Sequence, residues 1–68
     1  MNNQDKTVDL EVSNHVSAFI FEPLTDKGSK FLVENAYGAE FGKPVVVENK
    51  NAYNLYMAAT EDGLKVRV

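Results

Sequence analysis

A strand gives way to a helix within one continuous stretch of the chain, His15-Val16-Ser17-Ala18-Phe19-Ile20-Phe21-Glu22-Pro23-Leu24-Thr25-Asp26. Residues 15–22 are predicted to be a strand, and the run Ala18–Phe21 is apolar on both faces, which favours a central position in a sheet. Pro23 has no amide hydrogen to donate to a strand ladder, so the strand is expected to end there. Thr25 is a suitable helix N-cap, and Asp26 suits the positive end of a helix dipole.

The helix that begins at Thr25 is expected to end near Ala36, with Gly38 as its C-terminal cap. Phe31 and Leu32 are its apolar anchors. Gly28 lies in its second turn, where glycine costs about 1 kcal/mol relative to alanine. Either a close approach of this helix to the sheet or a functional contact would explain that cost.

A second helix and two further strands are predicted downstream. The β-branched run Val45–Val47 indicates a strand buried on both faces. Asn49 is the N-cap candidate of a helix over residues 50–62, which Gly63 is placed to end. Residues 64–68 alternate as a last strand with Leu64, Val66 and Val68 inward. The helix carries an apolar stripe at helical spacing, made of Ala52, Leu55, Tyr56 and Ala59.

The N-terminal region is predicted to hold a disordered tail over residues 1–6 and a possible edge strand over residues 7–12, followed by a bend at residues 13–14. The element order is therefore β-α-β-α-β, with a possible fourth strand at the start. This order predicts an α+β fold, in which one small mixed sheet carries two helices on one face. Residues 7–68 would form a single domain.

The composition restricts the kind of protein this can be. A chain of 68 residues without cysteine has room for one small core, and it has neither disulfides nor thiolate metal sites. No run of about 18 apolar residues could span a membrane. We therefore expect a cytoplasmic protein with no membrane partner and no cofactor.

Catalytic chemistry has little support in the sequence. His15 is the one histidine, so no second histidine or cysteine can share a metal with it. The serines lack a nucleophile motif, and no pair of acids is placed for acid–base catalysis. The net charge of −3 repels nucleic acid and favours partners with a basic surface. We expect a protein that is not an enzyme and that does not bind nucleic acid directly.

The remaining indication of function in the sequence comes from its aromatic and acidic residues. Tyr53 and Met57 follow the shoulder of the second helix, where they either widen the core face or belong to a protein interface. Exposed acids could imitate the phosphates of a nucleic acid. The candidate partner-binding residues are Glu34, Tyr37, Glu40, Tyr53, Met57, Glu61 and Asp62.

Four segments carry a resemblance to known proteins: residues 21–25, 31–35, 45–48 and 62–64. Together they resemble a group of short bacterial and mobile-element proteins of unknown function, in which Pro-Leu-Thr opens a helix and a second helix ends in Asp-Gly-Leu. The chain also resembles, more loosely, the small acidic anti-CRISPR proteins of phages and plasmids. That likeness implies a non-enzymatic inhibitor that occupies a basic surface of a CRISPR effector.

Two functional hypotheses follow from the sequence. The first is an inhibitor from a mobile element that docks on a basic, nucleic-acid-binding surface as a monomer or weak dimer. The second is a small regulatory or antitoxin-like protein that binds a partner through its second helix or a sheet edge.

Overall fold

The sheet has four strands, and two helices connect three of them. The computed structural model describes residues 7–68, and the predicted tail over residues 1–6 lies outside them. The elements are β1 (Leu10–His15), β2 (Ala18–Pro23), α1 (Asp26–Asn35), β3 (Val45–Glu48), α2 (Asn49–Glu61) and β4 (Val66–Arg67). The strand order is β3-β2-β1-β4, with β1 antiparallel to β2, β2 antiparallel to β3 and β4 parallel to β1. This mixed sheet confirms the predicted α+β fold, and the optional fourth strand is present.

One face of the sheet forms the core. Phe21 lies opposite Val12 on one side and Val45 on the other, so these side chains share a face, as do Phe19 and its partner Val47. Both helices add buried side chains to this inner face. The buried cluster consists of Leu10, Phe21, Phe31, Leu32, Val45, Val47, Ala52, Leu55, Ala59 and Leu64.

The N-terminal strands form a hairpin that the sequence did not predict. β1 continues through Ser13 and Asn14 to His15, so the expected bend at residues 13–14 is wrong. The expected single strand over residues 15–22 is wrong as well, because the chain turns at Val16 and Ser17. Val16 has a φ of 28°, a backbone conformation that β-branched residues rarely adopt. Two-residue hairpin turns normally contain glycine or asparagine, so this turn has no recognisable sequence signal.

Two strand positions also differ from expectation. β1 lies between β2 and β4, so the first strand is not an edge strand. β3 is at the edge, and Val46 points away from the core with 68% of its surface exposed. The prediction that Val45–Val47 is buried on both faces is therefore wrong. Val68, expected to point inward, is exposed beyond the end of β4.

The helix ends follow local side-chain and backbone chemistry. The Thr25 hydroxyl accepts a hydrogen bond from the Gly28 N–H at 3.1 Å, which confirms the predicted N-cap of α1. α2 has Glu48 at its N-cap position, where the sequence favoured Asn49. At its other end, Gly63 has a φ of 86° and donates to the Thr60 carbonyl, while Leu64 donates to the Ala59 carbonyl. This pair of bonds is a Schellman motif, and it confirms Gly63 as the residue that ends α2.

Gly28 allows α1 to lie directly against the start of β1. A Cβ atom at this position would lie 2.1 Å from the Asp9 carbonyl oxygen and 3.1 Å from a methyl group of Leu10. Of the two explanations offered for this glycine, the structure therefore shows the close approach of the helix to the sheet.

We predict that Gly28→Ala destabilises the protein by about 1–3 kcal/mol, because backbone atoms cannot make room for the methyl group. Helix propensity alone would favour alanine by about 1 kcal/mol, so the two effects have opposite signs. Urea denaturation followed by circular dichroism measures the difference, with Lys30→Ala as a control at an exposed position of α1. A Gly28→Ala protein more stable than the wild type would contradict the close approach.

A buried carboxylate joins three parts of the chain. Asp9 is 8% exposed. Its Oδ1 accepts a hydrogen bond from the Thr25 hydroxyl at 2.7 Å, and its Oδ2 accepts one from the Lys65 N–H at 3.0 Å. Its backbone N–H donates to the Lys65 carbonyl at 2.8 Å, and its carbonyl accepts from the Leu24 N–H at 2.9 Å. We call Asp9, Thr25 and Lys65 the Asp9 clasp, which ties the start of β1 to the N-cap of α1 and to the residue before β4.

The Asp9 clasp also sets the acidity of its carboxyl group. Burial acts to raise the pKa of Asp9, but hydrogen bonds from Lys65 and Thr25, together with the positive charges of Lys27 and Lys65, hold this pKa below its ordinary value of 3.8. A lowered pKa means that the folded state binds the proton more weakly than the unfolded state does. The resulting stability is present above pH 3.8 and is lost as the pH falls through the lower pKa of the folded protein.

We predict that Asp9→Asn destabilises the protein by about 1–3 kcal/mol at pH 7, because a carboxamide has one acceptor oxygen for two donors, the Lys65 N–H and the Thr25 hydroxyl, and its NH2 group would face one of them. The difference in unfolding free energy between wild type and variant should shrink as the pH falls below 3.8. Urea denaturation at a series of pH values measures it, with Glu34→Gln as a control at an exposed carboxylate. A difference that stays constant down to pH 2 would contradict the clasp.

Candidate binding site

One cleft in the structure runs along the edge strand β3. It has a volume of about 590 Å³, and the end of α1, the strand β3 and one side of α2 surround it. We call it the β3 groove. Its lining residues are Asn35, Ala36, Tyr37, Val46, Val47, Glu48, Asn51, Asn54, Leu55 and Ala58.

The strand at the bottom of this groove has an open side. Within residues 7–68, β3 pairs with β2 alone, so its other edge carries no strand. An open strand edge presents backbone N–H and C=O groups in the geometry that another strand would satisfy. Proteins protect such edges with charged residues, prolines or bulges; here Lys43 and Pro44 precede the strand, and residues 45–47 of the strand itself are all valine. The β3 edge is therefore a place where an extended segment could add to the sheet.

Tyr37 stands at the rim of the β3 groove. It follows the end of α1 in a turn, and Gly38, with a φ of 79°, allows the chain to reverse there. Its side chain is fully exposed. An exposed tyrosine beside an open groove supplies a large, rigid contact surface, which is characteristic of residues at protein interfaces.

The β3 groove has carboxamide groups on both of its sides and an apolar base between them. The carboxamide of Asn35 donates to the Phe31 carbonyl at 2.8 Å, which fixes its orientation at the end of α1. The carboxamides of Asn51 and Asn54 lie on the exposed side of α2, and neither makes a side-chain hydrogen bond to another residue within 7–68. Leu55 and Ala58 supply an apolar floor between them. The groove thus offers an apolar base with amide groups above it.

A second cleft of about 350 Å³ lies on the other side of α2. Its walls are almost entirely apolar, and Asn49 is its one amide. Tyr53 and Val68 border it, and both are exposed. The cleft is lined by Val12, Phe19, Phe21, Asn49, Ala52, Tyr53, Tyr56 and Val68.

The predicted aromatic and methionine residues fall into two groups. Tyr53, Met57 and Glu61 are spaced four apart on α2, so they form one exposed stripe. Tyr53 is 68% exposed and borders the second cleft, whereas Tyr37 borders the β3 groove. Neither Tyr53 nor Met57 belongs to the buried cluster. The structure therefore places the two tyrosines on opposite sides of α2 and does not bring them together.

The four predicted acids do not form one patch. The Lys27 ammonium donates to the Gly63 carbonyl at 3.3 Å, which puts the N-terminus of α1 beside the C-terminus of α2. Glu61 and Asp62 lie at this end, while Glu34 and Glu40 lie near and beyond the far end of α1. Glu40 is also paired with Lys43 at 3.7 Å. A continuous phosphate-like surface built from these four carboxylates is not what the geometry provides.

Chemical groups for catalysis are not assembled in the described part of the chain. His15 is exposed at the end of β1, and Asp9 is fully occupied by hydrogen bonds within the fold. Among residues 7–68, no three histidine, cysteine or acidic side chains are grouped so that they could hold a metal ion. No helix in the same range has the length and apolarity needed to cross a membrane.

Searches against protein-family models, curated proteins and solved structures found no match to this chain. The β3 groove and the second cleft are therefore interpreted from their own geometry and chemistry.

Sequence reasoning missed most of the groove-lining residues. Val46 reads as a core residue, because three consecutive valines look the same in a central strand and in an edge strand. Asn51 and Asn54 read as the polar face of an amphipathic helix. The sequence feature that could have revealed them is their spacing of three residues, which puts both amides on one side of α2.

Proposed function

We propose that this protein is a non-enzymatic binding protein, and that it accepts an extended segment of a partner protein along the open edge of β3. The observation that carries the proposal is the coincidence of an open strand edge with the β3 groove. In this mode of recognition, hydrogen bonds to the strand backbone provide affinity and a pocket for alternate side chains provides specificity.

The groove is placed to receive side chains from such a strand. Residues of an added strand alternate between the two faces of the sheet. Those opposite Val45 and Val47 would point to the inner face, where Leu55, Ala58 and Tyr37 line the groove. Those opposite Val46 would point to the outer face and cover an exposed valine. Both faces of the added strand therefore meet apolar surface.

An extended polypeptide fits this site better than other classes of ligand. An open strand edge has a repeating pattern of donors and acceptors that a peptide backbone matches and that nucleic acid does not. The net charge of −3 opposes binding to a phosphate backbone. The groove is lined by three consecutive residues of β3, Val46, Val47 and Glu48, which suits a chain segment that lies along the strand.

This binding mode serves either of the cellular roles expected from the sequence. A regulatory or antitoxin-like protein could hold its partner through the sheet edge. An inhibitor of the anti-CRISPR type could use the same edge to anchor itself on an effector, and that role stays a prediction. The spread of Glu34, Glu40, Glu61 and Asp62 favours the edge over phosphate mimicry as the main source of affinity.

We predict that peptides selected from a displayed library of random heptapeptides bind the wild type and lose at least about tenfold in affinity for Asn54→Trp. The indole would fill the β3 groove from an exposed position of α2, so the fold should be unaffected. Fluorescence anisotropy measures the affinity. Thr60→Trp is the matched control, because Thr60 is exposed on α2 and lines neither cleft.

Equal affinity of the selected peptides for the wild type and Asn54→Trp would contradict binding in the groove. A selection that yields no binding peptide would contradict the proposed function as a whole.

A further inference from the structure

We infer that the segment accepted by β3 carries a lysine or arginine opposite Glu48 and a β-branched aliphatic residue two positions away, opposite Val46. This inference rests on the proposed function and names the chemistry of the partner segment. It follows from the side chains that β3 presents along its open edge.

The outer face of the sheet is arranged in rows that an added strand would extend. Ile20 lies opposite Val46, and Ala18 lies opposite Glu48. Both β3 members are exposed, Val46 by 68% and the Glu48 side chain by 74%. A side chain added beside Val46 would lengthen an apolar row, and one added beside Glu48 would face a carboxylate.

The Glu48 carboxylate has one weak ion pair among residues 7–68, with Lys50 of α2. The Lys50 ammonium is 4.0 Å away, and both side chains are largely exposed, so this pair contributes little. Arg67, which also lies on the outer face, is bound to Glu11 at 3.1 Å. Arg67 belongs to β4, three strand spacings from β3, or about 14 Å. A cation on an added strand would therefore be the nearest in-row partner of Glu48.

Between these two positions, the added strand places one side chain over the β3 groove. The residue opposite Val47 points to the inner face, above the floor formed by Leu55 and Ala58. An aliphatic side chain of the size of isoleucine or leucine suits this floor. The partner motif is thus a cationic residue, an aliphatic residue and a β-branched aliphatic residue in succession. A strand that runs in the opposite direction would carry the same three residues in reverse order.

A second copy of this chain does not satisfy the motif. Antiparallel self-pairing of β3 that keeps the faces of the sheet places Pro44, Val46 or Glu48 itself opposite Glu48, depending on the register. Proline cannot donate to the ladder, and a second glutamate would repel the first. None of these β3 registers brings a cation to Glu48. Pairing with the other edge strand, β4, of a second copy would bring Lys65 or Arg67 to Glu48 but no β-branched residue of β4 to Val46, because Lys65 and Arg67 occupy that face. The motif therefore indicates a different protein as partner.

The test uses labelled heptapeptides of known sequence. One peptide, Ser-Thr-Lys-Ile-Val-Thr-Ser, contains the motif, and a second has glutamate in place of lysine. The same pair is made with the central three residues reversed. Anisotropy at low salt compares their binding to the wild type, Glu48→Lys and Glu22→Lys. The last variant makes the same change in net charge at an exposed position of β2 that lines neither cleft.

The wild type and Glu22→Lys should bind a lysine peptide about threefold to tenfold tighter than its glutamate counterpart, and Glu48→Lys should reverse the preference. Glu48 makes no side-chain capping bond to α2, so the variant should fold, which circular dichroism verifies. A lysine preference that persists in Glu48→Lys, or no preference in the wild type, would overturn the inference while leaving the groove as a peptide site.

Two further outcomes concern the proposed function itself and the identity of the molecule that occupies the groove. If a wild type that is monomeric by sedimentation binds none of the four peptides but binds peptides selected from the random library, the inference alone is overturned; if it binds neither kind, the proposed function fails as well. If sedimentation shows a dimer that excludes all four peptides and dissociates in Asn54→Trp, a second copy is the occupant, and the inference is overturned.

Discussion

The hydrogen bonds of the Asp9 carboxylate fix where the first helix begins, and the position of the candidate site depends on that point. Asp9 lies at the start of β1 and binds both the N-cap of α1 and the residue before β4. α1 therefore starts at the β4 side of the sheet. α1 then packs against β2. The helix ends at β3, where Asn35 and Ala36 line the groove and Tyr37 stands at its rim.

The open edge of β3 is a consequence of how few elements residues 7–68 form. Two helices cover the inner face of four strands, and their buried residues form one cluster with that face. No described element lies beyond β3 to pair with it. α2 leaves β3 directly at Glu48 and crosses toward β4, which opens the space that Leu55 and Ala58 line. The groove therefore arises from the change of direction at the start of α2, beside a strand edge that no described element pairs with.

Local chemistry made part of this fold predictable from the sequence. Thr25 as an N-cap, Gly63 as a helix end and the tight approach at Gly28 depend on residues within a few positions or on one backbone contact. The hairpin was not predictable, because Val16 adopts a positive φ that its side chain disfavours.

The strand order could not be predicted from the sequence either, and most of the candidate site depends on that order. A run of valines has the same appearance at an edge as in the centre of a sheet, so Val46 could not be assigned to an open face. Among the predicted binding residues, only Tyr37 lies in the β3 groove. The four acids were predicted as binding residues from their charge alone. In the structure, Glu61 and Asp62 lie beside the start of α1, whereas Glu34 and Glu40 lie near its far end.

Hydrogen exchange of the backbone amides of residues 45–48, measured by NMR in the free and the peptide-bound protein, tests the central claim most directly. In the free protein, amides that point away from β2 should exchange fast, while those bonded to β2 are protected. Binding should slow the exchange of the fast amides of β3, because an added strand would accept hydrogen bonds from them. The exchange of the β4 amides should stay unchanged. Unchanged exchange in β3 together with new protection around Tyr53 or at β4 would contradict the account and move the binding site away from the β3 edge.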